Sequence, residues 1–223
     1  MITILKETTK NPITLMGERA GVCWGGDIRD PEKNYRRGLD CIKSGHHRVM
    51  EYVNVEMILE GYSARVIREW YTHIGGAPTR LQASTRYINY KDFSYTVPPS
   101  VAGKPEAEKL YRDTMAAIAK SCSRLEEEWG IPREDAAMLL PLGMSTKVVD
   151  KRNVRNLIEM SHQRLCTRAY WEYRLLMQDI SNALAEYSKE WRELTEQYFV
   201  PKCQVAGYCT EKKSCGRMPN KEK

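Results

Sequence analysis

From Val49 to Leu59 the chain alternates. Val49, Glu51, Val53, Val55, Met57 and Leu59 occupy one parity and Tyr52, Asn54, Glu56 and Ile58 the other. Successive strand side chains point to opposite faces, so this near-strict period of two predicts a half-buried strand over 49–59. Two shorter stretches, 2–8 and 145–150, also read as strands. Almost everything else carries helical spacing. Residues 11–24 run up to the Gly25-Gly26 break, and 31–44 follow Pro31. Residues 62–73 place Val66, Ile67, Trp70 and Tyr71 at helical intervals before Gly75-Gly76 stops them. A long helix is expected from Pro105 to Trp129, broken by Gly130-Ile131-Pro132. A short helix follows over 132–140. Residues 153–166 set Val154, Leu157, Ile158, Ser161 and Leu165 on one face, and further helices cover 168–187 and 189–199. The expected class is α+β: a helix-dominated domain over 1–200 with a small, mostly antiparallel sheet, then a basic, Cys-containing tail over 201–223.

Composition narrows the function. The net charge of +6 is spread along the 223 residues with no basic run. That favours a small anionic ligand over nucleic acid, which is not expected as a partner. Thirteen Tyr against two Phe suit half-buried sites and subunit contacts. No window approaches 18 consecutive apolar residues, so no membrane span is expected. The opening Met-Ile-Thr-Ile-Leu-Lys lacks the apolar core of a secretory signal. Seven Cys, an odd number, fit a reducing compartment, and the expected location is cytoplasmic. Cys23, Cys41, Cys122 and Cys166 are scattered and read as small hydrophobic fillers.

The chemistry concentrates in Gln82-Ala83-Ser84-Thr85-Arg86-Tyr87, which follows a Gly75-Gly76-Ala77-Pro78 bend. A guanidinium two residues after a hydroxyl can grip a phosphate or a nucleobase edge, because Arg offers a planar fork of donors and Ser a short one. Arg80, Lys147, Arg152, Arg155, Arg164 and Arg168 add cations near aromatic residues or Gly/Pro punctuation.

The order of these segments resembles the flavin-dependent thymidylate synthases. It comprises the strand after Gly45-His46, the helix ending Arg68-Glu69-Trp70-Tyr71-Thr72-His73, Ser84-Thr85-Arg86-Tyr87, and Leu140-Pro141-Leu142 through Trp171-Glu172. The resemblance covers roughly 1–200. It implies a homotetramer with active sites shared between subunits, and FAD carrying electrons from NADPH. It also implies transfer of a methylene from methylenetetrahydrofolate to C5 of dUMP, giving dTMP, with no Cys nucleophile on the pyrimidine. The family signature is Arg-His-Arg, seven residues, Ser-x-Arg-Tyr. Its second half matches at Ser84, Arg86 and Tyr87; in the first half His73 matches, but Thr72 and Ile74 replace the arginines and the gap is two residues longer. Arg80 stands as a replacement cation.

Carried over residue by residue, the resemblance implies catalytic roles for Ser84 and Arg164. It gives the cofactor His46, Asn54, His73, Arg80 and Asn153, with His47 beside His46. It gives the nucleotide Glu69, Gln82, Ser84, Arg86, Lys147 and Arg164. Glu69 and Gln82 look like an exchanged carboxylate–amide pair, and Ala137 stands where an Arg often contacts the nucleotide. These departures leave open a related flavin enzyme that modifies another pyrimidine nucleotide, for example by hydroxymethylation. A non-enzymatic nucleic-acid-binding protein is the third reading.

Beyond the resemblance, Cys203, Cys209 and Cys215 are spaced with five residues between each pair and have glycines close by. Tight turns that aim sulfurs are common in metal knuckles, so Zn²⁺ or iron is one reading. Only three ligands are evident, with Cys23 or Cys41 as candidates for a fourth. The other reading is a basic tail with incidental thiols.

Overall fold

Val53, Val55, Met57 and Leu59 are all fully buried, as the alternation requires, but the strand starts only after Val53, later than the pattern begins. In the computed structural model, which describes residues 1–221, residues His47–Tyr52 form a 3₁₀ helix. The strand proper runs Asn54–Ser63. The reason is local: His46 N–H is held by the Cys41 carbonyl at 2.8 Å, and the tight turns that follow rotate Met50 into the core. Period two over 49–53 is met by coincidence of a 3₁₀ turn.

Among the described residues the elements run as follows. β1 (Ile2–Ile4), α1 (Pro12–Cys23) and α2 (Pro31–Lys43) precede the 3₁₀ helix. β2 (Asn54–Ser63), α3 (Ala64–Trp70) and β3 (Thr79–Gln82) come next. α4 (Pro105–Trp129), α5 (Arg133–Ala136) with a 3₁₀ turn at Ala137–Leu139, and β4 (Ser145–Asn153) follow. α6 (Val154–Arg164), α7 (Trp171–Tyr187), α8 (Lys189–Tyr198) and α9 (Lys202–Ala206) complete the list. The sheet order is β1-β2-β4-β3, and the class is α+β, helix-dominated, with a small antiparallel sheet. β3 and α9 have no counterpart in the sequence reading. The Thr79–Gln82 strand is largely exposed, so it leaves no apolar alternation to read. No helix is long and apolar enough to cross a membrane among the described residues.

The chain groups into two interleaved compact units. The first takes Met1, Leu59–Thr72 and Arg80–Val149. Its apolar centre joins Phe93, Met115 and Met144, flanked by Tyr90, Tyr95, Tyr111, Ile118 and Leu140. α4, 25 residues long, buries only Met115 and Cys122. Leu110, Trp129, Met138 and Leu142 of this unit stand exposed.

The second unit takes Ile2–Ile58, His73–Thr79 and the chain from Asp150 onward. Here α1 and α2 cross backbone to backbone. A Cβ on Gly17 would lie 1.7 Å from the Asn34 carbonyl oxygen, and one on Gly38 would lie 2.1 Å from that of Ile13. Only glycine permits this approach. The Glu190 carboxylate accepts the N–H groups of Ile13 (2.7 Å) and Thr14 (2.9 Å), placing an anion where the α1 dipole and unpaired donors favour one. α7 and α8 contribute Leu176, Met177, Ile180, Leu184, Trp191 and Leu194, all fully buried. Trp191 Nε1 donates to the Thr9 carbonyl at 2.8 Å.

Candidate functional site

In the second unit the sequence turns from β4 into α6 at Asn153. Its Oδ1 accepts the Asn156 N–H at 2.9 Å, a side-chain N-cap that ends the strand and starts the helix. The other end of the same amide faces the glycine bend: a Cβ on Gly76, whose φ is +73°, would lie 2.1 Å from Asn153 Nδ2. Gly75 approaches Asn156 Nδ2 in the same way. The helix expected over 62–73 spans only Ala64–Trp70, so the Gly-Gly bend does not stop it; the bend instead seats the backbone against two side-chain amides. Beneath them Arg152 is completely buried and held bidentately by Asp150 at 2.6 and 2.8 Å. It also donates to Asn156 Oδ1 at 2.6 Å. This charged brace fixes the amide that faces Gly75.

Glu51, Gly75, Gly76, Asn153, Arg155, Asn156 and Glu159 line a polar cavity of about 220 Å³. Arg155 bonds Glu51 at 2.6 Å and Glu159 at 3.1 Å. These pairs are half-exposed and individually weak, so an incoming anion can displace them. Asn153 thus stands in a polar pocket that holds the Arg155 guanidinium, two side-chain amides and the Glu51 and Glu159 carboxylates. In the sequence Arg152 and Arg155 stand out only as cations, with no cofactor or nucleotide role implied for either, and nothing there pairs Arg152 with Asp150. The signal for Arg155 was its place two residues beyond Asn153, half a helical turn into α6.

At the other end of α6, Arg164 Nε donates to His73 Nε2 at 3.2 Å. The Arg164 guanidinium lies 4.6 Å from the Tyr173 ring centroid, and His73 meets Tyr173 edge to face at 6.0 Å. Burial first, then the Arg164 and Arg152 cations, push the His73 imidazole down to about 4. His73 is therefore a neutral acceptor for Arg164 at neutral pH, and the cluster is a cation framed by aromatic rings. His46 and His47 are exposed, at the entrance to the 3₁₀ helix. Asn54 begins β2, where its N–H donates to Thr9 Oγ1 at 3.1 Å.

In the first unit, Arg80, Gln82, Ser84 and Arg86 follow one another along β3 and the turn after it. The Ala83 N–H donates to the Lys147 carbonyl on β4 at 2.8 Å, and Gln82 Nε2 reaches Thr146 Oγ1 at 3.3 Å. Ser84 Oγ accepts the Arg86 N–H at 3.1 Å, a hydroxyl turn that spaces the two side chains. Arg86 Nε donates to Glu134 at 2.6 Å, with both side chains more than half exposed. Arg80 donates to the Tyr71 carbonyl at 2.9 Å and stacks over the Tyr71 ring at 4.5 Å. Lys147 pairs with Glu60 at 3.1 Å. Glu69, in the last turn of α3, is half-buried, and its carbonyl accepts from Thr72 Oγ1 at 2.7 Å. Tyr87 is exposed.

Cys203, Cys209 and Cys215 line one cavity in the second unit, and the fourth thiol on its wall is Cys166, not Cys23 or Cys41. Cys41 is buried in α2 and Cys23 is exposed at the end of α1. Among the described residues no group of three or more His, Cys, Asp or Glu stands ready-set for a metal ion.

The topology and these clusters define an α+β protein of one recognisable class: residues 4–188 match the family described as Thymidylate synthase complementing protein, and the chain belongs to that family. Among its relatives are proteins named flavin-dependent thymidylate synthase. That of Nitratidesulfovibrio vulgaris is 30% identical over 190 residues, spanning 80% of this chain and 74% of the relative. That of Clostridium tetani is 28% identical across 98% of this chain and 94% of its own length. Among solved structures, a flavin-dependent thymidylate synthase from Helicobacter pylori, complexed with FAD and dUMP, shares the fold. Its TM-score is 0.67 at 16% identity, covering 86% of this chain and 98% of that one.

Proposed function

We propose that this chain is an FAD-dependent thymidylate synthase that methylates dUMP at C5 to give dTMP, with methylenetetrahydrofolate as carbon donor and NADPH as reductant. The observation that carries the reading is the family match over 4–188, in a chain whose Ser84-x-Arg86-Tyr87 turn and His73–Arg164 pair are both formed.

The residues fit a dinucleotide cofactor by their donor chemistry. Arg155, Asn153, Asn156 and the Gly75-Gly76 backbone surround the 220 Å³ cavity together with Glu51 and Glu159, and the glycines bring the bend directly against the two side-chain amides. That volume suits part of a dinucleotide, such as a phosphate or a ring edge. FAD, when bound, would supply the hydride chemistry and mediate the one-carbon transfer. The protein's own task is to bind, orient and exclude water. Asn153 and Arg155 would hold the cofactor, with His46, Asn54, His73 and Arg80 completing its contacts.

Ser84, Arg86 and Arg164 would hold the nucleotide, with Glu69, Gln82 and Lys147 around it. Arg164 is suited to a phosphate by its planar fork of donors, held at the end of α6 between His73 and the Tyr173 ring. Arg86 would exchange an exposed carboxylate for the ligand at small cost. A homotetramer with shared active sites is supported by the exposed Leu110, Trp129, Met138 and Leu142 of the first unit, apolar surface that subunit contact would bury. The expected compartment is the cytoplasm.

The test is direct. Purified protein is titrated with FAD and followed by flavin absorbance, then assayed for dTMP from dUMP, methylenetetrahydrofolate and NADPH. Flavin binding with dTMP formation supports the reading; a protein that binds FAD but gives a hydroxymethylated or other pyrimidine refutes the product assigned, and one that binds no flavin refutes the class.

A further inference from the structure

Four of the seven thiols line one cavity. Cys166, just past the end of α6, and Cys203, Cys209 and Cys215 line a space of about 390 Å³ together with His162. All are free thiols. The sequence separates Cys166 from Cys203 by an entire helical pair, so their place on one cavity is a product of the fold.

The segment that brings them there is poorly provided for otherwise. From Lys202 to Lys221 only Cys209 is buried, and past α9 the one ladder contact among the described residues is an isolated bridge between Cys209 and Asn220. The segment is nevertheless folded back onto the end of α6. Arg217 Nη1 donates to the Leu165 carbonyl at 3.2 Å, and Arg168 Nη2 to that of Lys213 at 3.1 Å. Arg168 also pairs with Glu211 at 3.1 Å. Fixing a backbone costs free energy at every residue, and exposed pairs of this kind return little of it. With no apolar core, a folded segment of this size ordinarily depends on a covalent or metal staple. Its turns also suit one. Gly207 (φ +77°) lies two residues before Cys209 and Gly216 (φ +93°) directly after Cys215, both in the left-handed region that lets a chain reverse beside a ligand.

We propose that Cys166, Cys203, Cys209 and Cys215 form a four-thiolate site for a structural Zn²⁺ that pins the C-terminal segment to α6. Four sulfurs and a tetrahedral preference select Zn²⁺ among common divalent ions. The side chains as placed do not yet converge on a point. The exposed loops draw their sulfurs inward as the ion binds, so that metal binding and folding of the segment are one event. The proposal does not depend on the flavin chemistry, and its test needs neither FAD nor dUMP.

Full-length protein, prepared reduced and without chelator, is analysed for metal content and then reloaded with Co²⁺ after metal removal. About one equivalent of Zn²⁺ per chain is expected, with Co²⁺ giving the tetrahedral thiolate spectrum. Cys166→Ser and Cys215→Ser lose the ion, while Cys23→Ser, outside the cavity, keeps it. Chelator treatment of the unsubstituted protein should open Lys212 and Lys213 to trypsin while FAD-independent far-UV dichroism is nearly unchanged. This arm keeps the test valid if a variant fails to fold. No uptake of either ion, an octahedral Co²⁺ spectrum, or full metal retained by both cavity variants would overturn the site. Iron recovered with acid-labile sulfide would overturn the assignment to Zn²⁺.

Discussion

A pH titration of stability isolates the His73–Arg164 pair. The imidazole is pushed from 6.5 to about 4, so the folded protein resists a proton that the unfolded chain accepts readily. Above the unfolded value both states are neutral and the full stability is present. As pH falls from about 6.5 towards 4 the unfolded state alone gains the proton, and stability is lost; below the folded value the loss stops growing. A shift of this size corresponds at most to roughly 3.4 kcal/mol, at about 1.36 kcal/mol per unit. Solvent reaches part of the ring, which reduces the expected loss to about 1–2 kcal/mol. The perturbation is His73→Gln, which keeps an acceptor for Arg164 and removes the titration. The assay is urea unfolding of both proteins from about pH 7 down to about pH 4. His162, also depressed by burial, is common to both proteins and cancels in the difference. The unsubstituted protein should lose about 1–2 kcal/mol more than the variant across this window. Parallel curves, or an NMR-titrated His73 midpoint near its ordinary value, would refute the reasoning. Arg164→Gln should raise that midpoint yet leave it below 6.5, because burial is the larger cause.

Three further outcomes follow from contacts described above. Asp150→Ala leaves the Arg152 guanidinium buried without its carboxylate and should cost about 3–5 kcal/mol, read by urea unfolding. Gly38→Ala forces a methyl against the Ile13 carbonyl oxygen and should cost at least about 2 kcal/mol, seen as a Tm lowered by several degrees. Arg164→Ala and Arg86→Ala should each weaken dUMP binding more than FAD binding, by roughly 2–4 kcal/mol in calorimetry; equal loss of both ligands would count against their assignment to the nucleotide.

The fold was legible wherever one face of an element is buried. The stripe of Val154, Leu157 and Ile158 defined α6, and Val55 to Leu59 defined the first half of β2. It was illegible where the backbone, not a side-chain pattern, makes the contact. The Gly17–Gly38 crossing leaves only two small residues to notice, and the exposed β3 leaves nothing periodic. At the site, the Ser84-x-Arg86 turn could be read from residue type, because the hydroxyl bonds a backbone N–H two positions on. That Arg86 meets Glu134, 48 positions away, could not. Asp150 and Arg152 sit in a run, Lys147 to Arg155, that resembles a solvated charged strand. Its alternation, with Val148, Asp150 and Arg152 inward, reveals an inner face carrying charge only once the partner elements are known.

α6 carries the polar cavity at its first turn and Arg164 at its last, with Asn153 pinning the start and the Cys166 turn the finish. Eleven residues at about 1.5 Å each make a rod of some 16 Å. Such a rod keeps angle as well as distance. Adding or deleting one residue within it would shift Arg164 by only about 1.5 Å along the axis but swing it by about 100°, away from His73 and the Tyr173 ring. Length variation in this family member should therefore be tolerated in the loops on either side of α6 and forbidden inside it.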